Sequence, residues 1–280
     1  MISLKSHLLD ESILRNSDDI LNASDYEVYR LRILEWIESA DDRKPGYNKT
    51  AYQWIGYLVR NCGAGCIRIN SNLEIETDKI IRIEGVSGLG ELPDYIKFGK
   101  VERLELNRCT VNPGYNMRGW PREIRNLEIT NCRGFTPCVI KTSPIQKCDY
   151  LELTGNLGMT SISICQECNV LQYTGSGNDD TLIPIEFTKK TPLKFKVNDT
   201  INISLVKCLT TLRFVPSSVS ELCISHSRFA KSVPDLESVG FPKTTKALTM
   251  YDCTFKGVKI TEFDIRKLLG RRDKMNIEIE

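Results

Sequence analysis

"WPREIRNLEITNCRGF", residues 120–135, is the stretch from which the rest of the chain is read. Pro121 leads. Leu127 and Ile129 then stand two apart, the spacing of a strand with one buried face. Cys132 follows three residues after the second of them. A cysteine in that place is either a reactive group or a small packing residue in a unit that recurs, and the remaining sequence separates the two.

The unit recurs. "VERLELNRC" carries Leu104, Leu106 and Cys109, "CDYLELTGN" carries Leu151, Leu153 and Asn156, and "CNVLQYTGS" carries Leu171, Tyr173 and Ser176. "INISLVKC" supplies Ile203, Leu205 and Cys208, "SELCISHS" supplies Leu222, Ile224 and Ser227, and "KALTMYDC" supplies Leu248, Met250 and Cys253. Each reads apolar-x-apolar-x-x-(Cys/Asn/Ser). Pro121, Pro216 and Pro242 each precede the first apolar position by six residues, and Phe135, Phe229 and Phe255 follow shortly after the polar column. A shared offset at three places marks a true repeat, with units beginning about 20 to 26 residues apart.

The pattern resembles leucine-rich repeats, L-x-x-L-x-L-x-x-(N/C)-x-L, and the proline lead-in is similar to that of bacterial leucine-rich proteins. The resemblance covers roughly residues 67–256. It implies an α/β repeat fold, a leucine-rich-repeat-like solenoid with a parallel β-sheet face. Each strand then points two apolar side chains into the core, and the Asn/Cys/Ser position serves a crowded bend, where a small hydrogen-bonding group fits. Unit lengths are irregular. Over 177–203, "GNDDTLIPIEFTKKTPLKFKVNDT" and its flanks fit poorly: apolar pairs at 183/185, 193/195 and 203/205 recur about every ten residues, as in strands on both sides of each turn or a broken repeat.

The flanks differ in period. Residues 1–66 read as a helical N-terminal module or cap. "SDYEVYRLRILEWIESA" opens with a capping-box spacing from Ser24 to Glu27 and keeps one apolar face, and a second helix runs through "KTAYQWIGYLVRNC". Residues 257–280 read as a C-terminal capping helix over 261–269 followed by a short strand, "NIEI". A solenoid needs such caps because its end units cannot bury their own apolar faces. The leader "MISLKSHLLDESI" resembles the short apolar-acidic leaders of tailed-phage internal head proteins, which implies a virion-associated setting. An ordinary amphipathic first turn explains it too.

Composition narrows function mainly by exclusion. A net charge of +2 on 280 residues makes no electrostatic case for nucleic acid. No apolar run approaches the roughly 18 residues that span a bilayer, and the N-terminus lacks the apolar core of a secretory signal, so the expected setting is cytoplasmic, in a bacterial or host cytosol. Eleven cysteines then read as reduced thiols. "CGAGC" (62, 66) and "CQEC" (165, 168) are close pairs, but their unequal spacing and wide separation argue against a zinc site. The two histidines, His7 and His226, offer no clear base for a cysteine nucleophile. No phosphate-binding loop, dinucleotide fingerprint or hydrolase elbow occurs. No catalytic residue, metal or cofactor is expected.

The positions between the two core residues face outwards. Glu105, Glu128 and Glu152 occupy them in successive units and Gln172 in the next, so stacking forms a carboxylate ladder about 5 Å apart. Thr130, Thr154 and Thr174 form a parallel hydroxyl row, and Tyr150, Thr249 and Tyr251 extend the surface. Solvent screening, with Arg103 and Arg108 as compensating neighbours, explains the ladder without function. The functional expectation is a non-catalytic interaction module that binds a protein partner with a basic surface through this face. The alternative is a carbohydrate-active solenoid enzyme using paired carboxylates.

Overall fold

The computed structural model describes residues 67–69, 75–92, 96–176, 183–242, 244–269 and 276–279. The helical module expected over 1–66 lies outside the described residues. The described residues form a parallel-stranded β-solenoid of about seven turns with few helices.

One long sheet runs its length. Its strands, in spatial order, are β1 (Ile67–Ile69), β2 (Ile75–Glu84), β4 (Ile96–Asn107), β6 (Glu123–Thr130), β7 (Lys147–Thr154), β8 (Glu167–Thr174), β9 (Lys196–Ser204), β11 (Glu221–Ser225), β13 (Ala247–Tyr251) and β16 (Asn276–Ile279). β1 is antiparallel to β2; every later pairing in this sheet is parallel. Short strands lie across the turn after β2, β4, β9, β11 and β13. β3 (Ser87–Leu89) pairs with β5 (Thr110–Val111), while β10 (Lys207–Leu209), β12 (Arg228–Phe229), β14 (Thr254–Phe255) and β15 (Val258–Lys259) form a four-stranded sheet. The helices are brief: α1 (Pro137–Ile140), α2 (Leu236–Val239) and α3 (Glu262–Leu269). No described helix is long and apolar enough to cross a membrane.

The two-residue spacing of apolar side chains sets the register. Leu104, Leu127, Leu151, Leu171, Ile201, Leu222 and Leu248 are paired strand to strand, and so are Leu106, Ile129, Leu153, Tyr173, Ile203, Ile224 and Met250. All are buried. Each turn thereby removes two large side chains from water, worth about 1.5–3 kcal/mol apiece, but only when a neighbouring turn covers them. In the founding stretch, Trp120 and Phe135 are also buried, and Trp120 Nε1 donates to Tyr115 Oη at 2.9 Å beside the Phe135 ring.

Cys132 belongs to a hydrogen-bonded column. Its Sγ accepts from the Cys109 backbone N–H at 3.4 Å and donates to Leu106 O at 3.5 Å. Asn156 does the same one turn later and with better acceptors: Oδ1 accepts from the Cys132 N–H at 2.8 Å, and Nδ2 donates to Ile129 O at 2.7 Å. Ser227 Oγ accepts from Val206 N at 3.2 Å, and Cys253 Sγ donates to Ile224 O at 3.3 Å. Each such side chain ties its own turn to the preceding one at the bend, where the sheet ladder has ended and backbone groups need partners. The residue before the column adopts a left-handed backbone at Arg108, Asn131, Gly155, Leu205, His226 and Asp252, with φ between 47° and 64°. That conformation turns the chain inward at the same point of each of those units.

One expected unit is corrected. Ile203, Leu205 and Cys208 do not form the core pair and column. Ile201 and Ile203 are the pair, and Val206 stands in the column. Leu205 is 42% exposed at φ 52°, and Cys208 is exposed at φ 77°. The apolar residues of this unit alternate through 201, 203 and 205, so alternation alone permits a slip of two. The bend resolves it, because only residue 205 takes the left-handed conformation that precedes a column residue. The poorly fitting zone is the longest turn: Leu171 pairs with Ile201, thirty positions on. Its extra chain makes a 3-10 turn at Ile185–Thr188, which carries Phe187 into the core against Tyr173 and Phe214, with ring centroids 4.9 and 4.7 Å away. Ile183 and Ile185 form no strand; Ile185 is half exposed.

At the C-terminal end, Thr261 and Asp264 form the reciprocal cap of α3: Asp264 Oδ2 accepts from Thr261 N at 3.0 Å, and Thr261 Oγ1 accepts from Asp264 N at 3.3 Å. α3 buries Ile265, and β16 then adds Ile277 to the end of the core.

Candidate functional site

Strand pairing converts the outward positions into rows. The central row runs Arg82, Glu105, Glu128, Glu152, Gln172, Asn202, Cys223, Thr249 and Glu278 across nine strands. The row nearer the bend runs Glu84, Asn107, Thr130, Thr154, Thr174, Ser204, Ser225 and Tyr251. Tyr150 lies in a third row, between Asn126 and Val170. The expected site residues therefore share one sheet face. Tyr251, 44% exposed, stands apart from the carboxylates at the far end, with its ring edge-on to His226 at 5.0 Å.

The three carboxylates are not equivalent. Arg82 pairs with Glu105, and Arg103 lies between Glu105 and Glu128, at 3.1 and 2.8 Å. The two glutamate side chains are 13% and 18% exposed, while Arg82 and Arg103 are 56% and 41% exposed. Pairing relieves the repulsion between carboxylates on adjacent strands, but the arginine heads remain wet, so each ion pair is worth about 1 kcal/mol or less. Arg82, rather than the expected Arg108, is the second partner; Arg108 sits past the strand end at φ 53°.

Glu152 is held by hydroxyls instead. Tyr150 Oη donates to Oε2 at 3.0 Å and Thr154 Oγ1 to Oε1 at 3.1 Å. Burial, and then the Glu152 charge, push the Tyr150 phenol up to about 12, so it stays a donor through the physiological range. The remaining acceptor capacity of Glu152 faces outwards on a half-buried surface. Beyond it the row becomes uncharged: Gln172 Nε2 donates to Thr174 at 3.4 Å, and the Thr174 and Ser204 hydroxyls lie 2.9 Å apart. The face is thus charged over β2–β7 and neutral-polar from Gln172 to Thr249, before Glu278 closes the row.

The sequence reading missed Arg82, Asn202, Cys223 and Glu278. Arg82 was legible, standing between Ile81 and Ile83 as Glu105 does between its leucines. Asn202 was hidden by the two-residue slip in its unit.

Several thiols are buried and held protonated, whereas the hydrogen bond with Cys132 lowers Cys109, which is 1% exposed, to about 7. Burial pushes Cys148 up to about 12 and Cys253 to about 11, and Cys165, hydrogen-bonded to Cys168 in the core, is raised well above the ordinary range. The Cys109 thiol beside it, and then burial, raise Cys132. A buried protonated thiol is neither nucleophile nor ligand. Among the described residues no cluster of three or more His, Cys, Asp or Glu is arranged to hold a metal ion, and Cys62 and Cys66 lie outside them.

No family model, curated protein or solved structure matches this chain.

Proposed function

We propose that the chain is a non-catalytic interaction module that binds a protein with a basic surface through the outer face of its long sheet. The observation that supports this is the in-register row Glu105–Glu128–Glu152, whose last carboxylate is braced by Tyr150 and Thr154 and has outward acceptor capacity. Two arginines against three glutamates leave this end of the row acidic, which favours cationic partners and speeds their encounter. We read the repeats as leucine-rich in type on the core-pair spacing and the polar column, and the setting as cytosolic on the unpaired thiols of the described residues.

The test starts from basic peptides selected against the folded chain from a random display library. Fluorescence polarisation of the best peptide then compares wild type with Glu128→Lys/Glu152→Lys. The double reversal should weaken binding at least about tenfold, or about 1.4 kcal/mol. Undiminished affinity in a variant with an unchanged melting curve would remove this face from the proposal. The glycan-hydrolysing alternative gains nothing from the cleft of about 850 Å3 on the four-stranded sheet, which no carboxylate of the described residues lines.

A further inference from the structure

A second site lies across the turn from β9, β11 and β13, on the four-stranded sheet. There a half-open cleft of about 850 Å3 is lined by four cations, Lys207, Arg228, Lys231 and Lys256, and, among the described residues, by no acidic one. The repeat builds it. Lys207, Arg228 and Thr254 are register partners on β10, β12 and β14, so two positive side chains stand one strand spacing apart, about 4.8 Å. Phe229, next to Arg228 on its strand, points into the core, which commits Arg228 to the outer side, and a bulge at Cys208 lets Leu209 be buried while Lys207 lines the cleft. Lys256 is positioned from the next turn: Nζ donates to Pro234 O at 2.8 Å and sits 5.4 Å from the Phe255 ring centroid.

Like charges opposed on adjacent strands destabilise a sheet. On the long sheet the same problem is met by pairing, arginine against glutamate. Here no carboxylate of the described residues pairs with the Arg228 guanidinium or the Lys231 ammonium. A concave site whose described lining carries four cations, two of them, Arg228 and Lys231, without a paired carboxylate, attracts a multivalent oxyanion. Arginine supplies a planar fork and lysines supply point charges, the combination that recognises phosphate groups. The hydroxyls of Thr210, Ser232 and Thr254 line the same cleft, and Ile183, Phe229 and Ala230 give it an apolar wall. Its volume lies within the range of small-molecule sites, roughly 300–1,000 Å3. We propose that this cleft binds the di- or triphosphate group of a phosphorylated small molecule, independently of the carboxylate face.

Cys208 provides a local reporter, since it is exposed and lines the cleft. Cys138 is exposed on α1 and serves as the internal control. The folded full-length chain is treated with N-ethylmaleimide, with and without millimolar pyrophosphate, ATP or AMP, and alkylation at each cysteine is followed by peptide mass spectrometry. A ligand at ten times its Kd leaves about a tenth of the sites free, so Cys208 should react about tenfold more slowly while Cys138 is unchanged. Protection should fall as salt is raised and disappear in Arg228→Glu/Lys231→Glu, whose two positions are exposed and leave the core untouched. Protection by both pyrophosphate and ATP assigns the site to the polyphosphate group itself. Protection by ATP alone assigns it to a nucleotide-like ligand that also uses the apolar wall. Equal effects on Cys208 and Cys138, protection by none of the three, or protection that survives the double reversal would overturn the proposal.

Discussion

Replacing Asn156 by alanine tests whether the column holds the turns together. The side chain makes two buried bonds, accepting from Cys132 N at 2.8 Å and donating to Ile129 O at 2.7 Å. Cys132 is fully buried and Asn156 is 8% exposed, so water does not readily replace the amide. Each lost bond costs about 0.5–1.5 kcal/mol net, and a buried N–H left without its acceptor costs about 1–3 kcal/mol. Allowing for relaxation around the alanine, the expected loss is about 2–4 kcal/mol. In a domain of this size that lowers Tm by roughly 5–15 °C, at about 2–4 °C per kcal/mol. Equilibrium urea denaturation followed by circular dichroism gives the free-energy difference, and the slope shows whether unfolding remains one transition. Asn156→Cys is the informative control. It installs the residue that the column itself uses at 109, 132 and 253, and should recover at least half of the loss. An alanine variant within about 1 kcal/mol of wild type, or a cysteine variant no better than alanine, would show that sheet pairing and apolar burial alone hold the turns and that the column is incidental.

Leu205 offers a perturbation of opposite sign. It is 42% exposed at φ 52°, so Leu205→Gly relieves a left-handed strain and should stabilise by about 0.5–1 kcal/mol, read as a higher urea midpoint; a lower one would contradict the assigned bend. Maleimide labelling of the native chain should modify Cys138 and Cys208 readily, with Cys109, Cys132, Cys148, Cys165, Cys168 and Cys253 reacting only after denaturation; rapid native labelling of Cys148 would mean that its turn is open. Hydrogen bonds from Thr261 hold the Asp264 carboxyl below its ordinary 3.8. Because the folded value is depressed, its contribution to the α3 cap is present above the unfolded value and is lost as pH falls through the folded one. Carbon-13 NMR titration should place the midpoint below 3.8, and Thr261→Ala should return it toward that value; an identical midpoint in the variant would refute the cap.

The stacked parallel-strand solenoid was legible in the sequence because its determinant is local and periodic. Two apolar side chains at alternate positions, followed three later by a small polar one, can satisfy themselves only against copies of the same unit. Leu127, Ile129 and Cys132 therefore imply stacked parallel strands. The same logic placed Glu105, Glu128 and Glu152 on one face, since a residue between two buried neighbours on a strand must point away from them. Two things were beyond that reasoning. Where apolar residues alternate over three positions, as at Ile201, Ile203 and Leu205, pattern leaves the register degenerate by two, and only the backbone bend at Leu205 breaks the tie. The basic cleft was equally hidden, because Lys207, the pair Arg228 and Lys231, and Lys256 come from three successive turns, and a chain with a net charge of +2 shows no sign of them in its composition. Which charges become neighbours depends on how many residues each turn inserts between its strands, and that length varies from one turn to the next. Sequence determined what each unit buries; only the stacked structure decided which exposed side chains meet.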